Sequence, residues 1–262
     1  MQEWQTWSYE SFRFSSPDEV HIWLVPLNIT DAFLQRLEKL LSRDERERAA
    51  RFKFEKHRKH FIAARGQLRL LLAAYIGQED DQLCFSYNRF GKPSLEKSSS
   101  SQPMQFNISH SHEFALMAFH PEWELGVDIE WMKPDFDGLH LVNRFFSLNE
   151  QKQMEEVPDA LKKEAFFNGW TRKEAYIKAR GRGLNIPLAK FSVSLNPDQP
   201  ARLIETTHDP EALNFWKLQA IPAPQNYKAA IVVRASSFKS VLRIGVNLDR
   251  LLEKRPTNPS ES

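Results

Sequence analysis

The chain has 262 residues, 41% of them apolar and 27% charged, at a mean hydropathy of −0.53. That balance fits a soluble globular protein able to bury a sizeable core, and it excludes disorder and fibrous repeats. Thirty-six Lys and Arg against 34 Asp and Glu leave a net charge of +2, so any preference for a charged partner must be local. The single cysteine, Cys84, excludes an intrachain disulfide and a multi-cysteine zinc site, and favours a reducing compartment. Apolar runs such as Leu70 to Ile76 and Phe114 to Phe119 fall far short of the ~20 residues of a membrane helix. The N-terminus also lacks the basic and apolar regions of a secretory signal. A cytoplasmic protein with no membrane attachment is expected.

In chain order, His21 to Pro26 predicts an early strand. Ser42 and Glu45 form a Ser-x-x-Glu capping box, in which serine oxygen and carboxylate satisfy orphan donors at a helix start. A helical stretch through Phe61 follows, then an alternating strand-like run from Leu83 to Tyr87. Lys97 to Gln102 reads as a flexible loop. Phe114 to Phe119 and Leu125 to Glu130 predict a hairpin around His120 to Glu124. Ser147 and Glu150 repeat the capping box 105 residues after the first, ahead of a second helix through Phe167 and a second alternating run from Phe191 to Leu195. Two similar α+β halves are therefore expected, over 1–120 and 121–252, with a disordered tail at 253–262.

Asp128 and Glu130 lie at i and i+2 of a strand, so they project from one face while Val127 and Ile129 enter the core, and Gly126 leaves room beside the acids. Two like charges so close repel unless a cation lies between them, and hard oxygen ligands suit Mg²⁺ or Mn²⁺. An ordinary solvated edge strand carries such acids too. Trp170, Glu174 and Lys178 fall at i, i+4 and i+8, along one helical stripe. An exposed Glu–Lys pair at that spacing is commoner than catalysis, but the tryptophan sets this pair beside a buried surface. Ser109 and His110 at a strand end could bond a phosphate, as could Lys92 in a loop tightened by Gly91 and Pro93. His110 and His112 also have the spacing of a zinc-binding pair. Between Arg43 and Arg69, ten Lys or Arg stand against four Asp or Glu, which suits either an anion site or a solvated helix face.

Phe90 to Pro93 (Phe-Gly-Lys-Pro), Phe106 to His110 (Phe-Asn-Ile-Ser-His), Gly126 to Glu130 (Gly-Val-Asp-Ile-Glu), Arg144 to Ser147 and Trp170 to Lys178 together resemble, in order and spacing, the 4′-phosphopantetheinyl transferases of the surfactin-synthetase-activating type. The similarity runs from about Val20 to about Leu195. It implies a pseudo-dimer of two α+β halves in one monomeric chain, with the active site in the cleft between them. The implied reaction moves the phosphopantetheine arm of coenzyme A onto a serine of an acidic apo acyl or peptidyl carrier protein, releasing adenosine 3′,5′-bisphosphate. No nucleic acid takes part. Asp128, Glu130 and Glu174 would hold Mg²⁺, with Mn²⁺ able to substitute. Glu174 would take the serine proton, directly or through a metal-bound water, and Lys178 would offset pyrophosphate charge.

The same resemblance assigns Lys92, Ser109 and His110 to the phosphates of coenzyme A and Pro93 to the adenine side. Where the family prototype has two lysines spaced by three, this chain has Glu45 and Arg48, so only Arg48 inherits a phosphate role. Arg51 or Arg65 is then expected to complete the 3′-phosphate contact. Two rival classes remain at this point. A Mg²⁺-dependent nuclease would also combine Asp, Glu and Lys, though usually with carboxylate and lysine on one strand. A non-catalytic binding module could keep the same fold.

Overall fold

Period-two alternation in β2 (Glu19–Pro26) turns Ile22 and Leu24 to one core and Trp23 and Val25 to another. That double use sets the layering of the molecule, whose computed structural model describes residues 3–78, 82–96, 103–207 and 209–253. β1 (Gln5–Thr6) and β2 precede three helices, α1 (Asp31–Leu40), α2 (Arg43–Ala50) and α3 (Glu55–Ile76). Strands β3 (Phe85–Tyr87), β4 (Pro93–Leu95), β5 (Gln105–Ser111) and β6 (Phe114–His120) follow. The second half repeats the plan with β7 (Leu125–Trp131), α4 (Val142–Phe145), α5 (Leu148–Glu156) and α6 (Asp159–Arg180). It continues through β8 (Phe191–Val193), β9 (Leu203–Thr206), α7 (Ala212–Phe215), β10 (Trp216–Ile221) and β11 (Tyr227–Arg234). β12 (Lys239–Ile244) and α8 (Arg250–Glu253) end the described chain.

The first half orders its strands β2-β6-β5 and the second β7-β11-β10, each neighbour pair antiparallel. Their inner faces meet through Ile22, Leu24 and Leu116 on one side and Val127, Ile129 and Ile231 on the other. The outer faces are covered by α3 and α6, giving a helix–sheet–sheet–helix stack. Both helices have 22 residues and end on a left-handed glycine, Gly77 at φ 67° and Gly181 at φ 60°. The α+β pseudo-dimer expected from the sequence is thus the observed architecture.

The capping boxes are present and do more than start a helix. Ser42 N donates to Glu45 Oε2 at 2.9 Å and Ser147 N to Glu150 Oε2 at 2.7 Å, and each glutamate is then buried. Glu45 meets Arg65 and Arg69 from α3; Glu150 meets Lys173 from α6 at 2.6 Å. Burial pushes the Glu150 pKa up and the Lys173 pKa down, each against the pull of the other's charge.

Three expectations need correction. β6 and β7 are strands but not a hairpin: the edges of β6 are taken by β2 and β5, and β7 pairs with β11 in the other sheet. The link between them crosses from sheet to sheet, held by His120 Nδ1, which accepts from Glu122 N at 3.0 Å and Trp123 N at 2.8 Å. The chain over 121–252 does not all stay in the second half, because β12 returns to lie parallel to β2, with β1 parallel beyond it. Of the tail expected from 253, Glu253 closes α8; residues 254–262, and 97–102 of the expected loop, lie outside the described residues.

The Glu150–Lys173 pair yields a stability test. Glu150→Ala leaves a buried ammonium without its carboxylate and is expected to lower the unfolding free energy by about 3–5 kcal/mol, read by urea denaturation. Adding Lys173→Met should recover much of that loss. A single-variant loss below about 1 kcal/mol would show that the pair does not hold α5 to α6.

Candidate active site

β5 and β7 lie side by side, in the same direction, in different sheets, and are joined by side chains instead of a backbone ladder. Asn107, Ser109 and Ser111 alternate along β5 and all face β7. Asn107 Oδ1 accepts from Val127 N at 2.9 Å. Ser109 Oγ donates to Asp128 Oδ1 at 2.7 Å. Ser111 Oγ accepts from Trp131 N at 3.1 Å and donates to Glu130 Oε2 at 2.9 Å. The seam between the halves therefore runs directly beside both carboxylates.

Helix α6 supplies the other wall. It lies so close to β7 that a Cβ on Gly126 would come within 2.2 Å of Ala179 N and 2.4 Å of Ala175 O. The room expected beside the acids at Gly126 is thus filled by helix backbone. The α6 stripe brings Lys178 Nζ to 2.6 Å from Asp128 Oδ1 and 2.8 Å from Ser109 Oγ.

Three acids here lie within reach of one another's charge. Asp128 is 2% exposed, and burial raises its pKa against the opposing pull of Lys178 and Ser109. Burial and the Asp128 charge push Glu130 up to about 7, with Glu174 adding to the shift. Glu174 is raised by burial and by Asp128. Asp128 Oδ2 is buried without a hydrogen-bond partner among the described residues. Among those residues no three His, Cys, Asp or Glu side chains are gathered as a ready metal cage. The chemistry of the donor set still suits a hard divalent cation: an orphaned carboxylate oxygen, with two further carboxylates whose ionisation a cation would favour.

The residues expected at the phosphates separate into two groups. His110 reaches solvent near the end of β5, yet the protein packed around its ring, then the Lys178 and Arg48 cations, hold its pKa below the ordinary imidazole value. Arg48, on exposed α2, is accordingly part of the same neighbourhood, its guanidinium 5.3 Å above the Phe61 ring. Arg65 is engaged elsewhere, in the buried pair with Glu45 and a bond to the Tyr87 hydroxyl, because Glu45 occupies the capping position beneath it. Arg51 is exposed at the end of α2. Lys92 also turns into the protein, donating to the carbonyls of Leu125 at 3.1 Å and Ala179 at 3.2 Å, and burial lowers its pKa to about 8. His112 does not pair with His110 toward a metal; it sits in the β5–β6 turn at φ 51°, stacked 4.2 Å from Trp131.

Two cavities open on either side of the carboxylates. One of about 250 Å³ is lined by Phe90, Lys92, Pro93, Ile108, Glu174 and Lys178. The other, about 350 Å³, runs from Glu130 along Trp131, Phe136, Phe166 and Trp170. Sequence reasoning passed over Asn107, Ser111 and the aromatic cavity. Polar residues at every second position of β5, from Gln105 to Ser111, were the signal for the first two.

Comparison with known proteins agrees with this layout. The family model described as the 4′-phosphopantetheinyl transferase superfamily matches residues 124–232, and the one described as 4′-phosphopantetheinyl transferase, N-terminal, matches 28–122. The 4′-phosphopantetheinyl transferase HetI of a Nostoc species is 38% identical over 216 residues, covering 82% of this chain and 88% of that protein. The 4′-phosphopantetheinyl transferase Sfp of Bacillus subtilis is 28% identical over 205 residues, covering 78% and 87%. The human L-aminoadipate-semialdehyde dehydrogenase-phosphopantetheinyl transferase is 32% identical over 164 residues, covering 59% of this chain and 52% of its own length. With both halves matched and a 38% identical relative aligned over most of its length, the chain belongs to the 4′-phosphopantetheinyl transferases, in their two-part, Sfp-like branch.

Proposed function

We propose that this transferase takes its phosphopantetheine from coenzyme A and places it on a serine of an apo acyl or peptidyl carrier protein, releasing adenosine 3′,5′-bisphosphate. The observation that carries the reading is the Asp128–Lys178 pair at the seam between the halves, with Glu130 and Glu174 within reach of its charge and a cavity on each side. In the step, the serine oxygen bonds to the β-phosphorus while the bond from that phosphorus to the bridging oxygen breaks. The electron pair leaves with adenosine 3′,5′-bisphosphate, and the serine proton passes to Glu174. A carboxylate whose pKa is raised by burial is a stronger base at neutral pH than an exposed one, which suits Glu174 to that task.

Lys178 puts an ammonium where negative charge collects on the leaving oxygen. Asp128, Glu130 and Glu174 would hold Mg²⁺ or Mn²⁺, whose charge would neutralise the pyrophosphate oxygens. Arg48 and His110 face the phosphates in this reading, Pro93 with Phe90 borders the adenine, and Ser109, expected at the phosphates, instead engages Asp128 through its hydroxyl. The aromatic cavity beyond Glu130 offers a dry lining for the pantetheine arm. We take the enzyme to act as a monomer, since one chain supplies both walls of its cleft, and to work in the cytoplasm, which its single cysteine favours.

An acidic carrier suits the charge left free on the first half. Arg43, Arg58, Lys59, Arg65 and Arg69 are paired with carboxylates, whereas Arg46, Arg48, Arg51, Lys53 and Lys56 have no ion-pair partner among the described residues. Phe52 and Phe54 stand exposed between them. Such a surface steers encounter more than it tightens the complex.

Three measurements test these statements. Incubation with coenzyme A and a panel of apo carriers, read by carrier mass, should show transfer that EDTA abolishes and Mg²⁺ or Mn²⁺ restores; full activity in rigorously metal-free buffer would overturn the metal requirement. Glu174→Gln, which keeps shape but loses basicity, should slow transfer by at least about 100-fold, and a near-wild-type rate would remove Glu174 from proton transfer. Raising salt to about 0.5 M, where the Debye length is only a few Å, should raise KM for the carrier steeply and KM for coenzyme A less. Lys53→Glu with Lys56→Glu should reproduce the high-salt carrier KM at low salt. A carrier KM flat with salt would assign docking to apolar contacts instead.

A further inference from the structure

The loop from Asn88 to Lys92 joins β3 to β4 in the first half, yet its polar side chains reach the second. Asn88 Nδ2 donates to Gly181 O at 2.8 Å. Lys92 Nζ donates to Ala179 O at 3.2 Å and Leu125 O at 3.1 Å. Asn88 Oδ1 meanwhile accepts from the backbone N–H groups of Phe90 at 2.9 Å and Lys92 at 3.0 Å, and Asn88 N donates to Lys92 O at 3.1 Å. Gly91, at φ 81°, permits the tight turn that these bonds require. The loop is thus closed on itself and presents two donors outward.

The acceptors belong to the two elements that carry the reacting groups. Ala179 and Gly181 lie at the C-terminal end of α6, where carbonyls lack partners within the helix and a cation is favoured by the helix dipole. Leu125 opens β7. Lys178 directly precedes Ala179, Glu174 lies little more than one turn earlier, and Asp128 follows Leu125 by three residues. Drawing Lys92 Nζ away to a phosphate would leave two carbonyls without this donor at the point where helix and strand are pinned together.

We propose that the Asn88–Lys92 loop is a clamp holding the end of α6 to the start of β7, and that Lys92 is a positioning residue of the transfer reaction and not a ligand of the coenzyme A phosphates. This rests on the reading of the site as one for phosphopantetheine transfer from coenzyme A. The clamp sets where Glu174 and Lys178 stand relative to Asp128, and a displacement of about 1 Å there is enough to cost on the order of 100-fold in rate.

The test compares Lys92→Met, which keeps the apolar stem and removes the ammonium, with Asn88→Ala, which removes the other arm of the clamp. For each single variant and the double variant, kcat and KM are measured with coenzyme A and with 3′-dephospho-coenzyme A, well below the melting temperature. Both single variants should lower kcat by about 10- to 100-fold while leaving the wild-type ratio of kcat/KM between the two substrates unchanged. The double variant should be little worse than the poorer single one, because both act on the same contact. The proposal is overturned if Lys92→Met changes that substrate ratio, or raises KM for coenzyme A at unaltered kcat. It is equally overturned if the two substitutions are fully additive, or if both lower the melting temperature with kcat intact. Should Lys92→Met not fold, Asn88→Ala decides alone, and a wild-type kcat in it overturns the clamp. Absence of transfer by the wild-type enzyme would instead overturn the function proposed above.

Discussion

Three polar side chains of β5 do between the halves what a backbone ladder does within each. Asn107, Ser109 and Ser111 bridge to Val127 N, the Asp128 carboxylate, the Glu130 carboxylate and Trp131 N. A backbone ladder would have satisfied strand amides and left the carboxylates on the neighbouring face to find their own partners. The side-chain seam bonds amides and acids together, so the joint between halves and the alignment of Asp128 with Glu130 are one structure. Its cost is visible in the electrostatics: three carboxylates with raised pKa values are held where water is scarce. Lys178 and the serine hydroxyls offset part of that cost. Carboxylates shifted in this way concentrate where chemistry is done, which marks the seam as a candidate site.

The duplicated halves differ where the duties differ. Both bury the glutamate of a capping box beneath the long helix, and both answer it with a cation from that helix. In the first half the answer is two arginines, so Arg65 becomes part of the framework. In the second a single lysine suffices, and the helix is free to turn Trp170, Glu174 and Lys178 toward the seam. The first half gives the polar edge of β5 and the basic surface of α2. Neither half carries the whole site.

Much of this was legible in local pattern. Alternation along residues 126–130 put Asp128 and Glu130 on one face, helical spacing put Glu174 and Lys178 on one stripe, and two capping boxes 105 residues apart announced the repeat. What local pattern does not carry is the choice of partner. An apolar strand, a turn and a second apolar strand read the same whether the two pair or part into different sheets; β7 finds its mate in β11, a hundred residues on. Ion-pair partners are hidden for the same reason. Nothing in the neighbours of Glu45 shows that Arg65 and Arg69 descend on it, and nothing around Gly126 shows that a helix backbone fills the space above it. Lys92 follows suit, its burial set by a helix end 87 residues away.

β12 gives the fold a particular relation to time. It lies between β2 and β1, parallel to both, so the sheet of the first half is finished by residues 239–244. Until β12 has been made, β2 therefore keeps one edge of its ladder open. The sheet of the first half is thus not completed by its own residues, as that of an independent domain would be. β12 closes the side of β2 that faces away from β5 and the seam, so residues from both parts of the chain complete the sheet on which the seam is built.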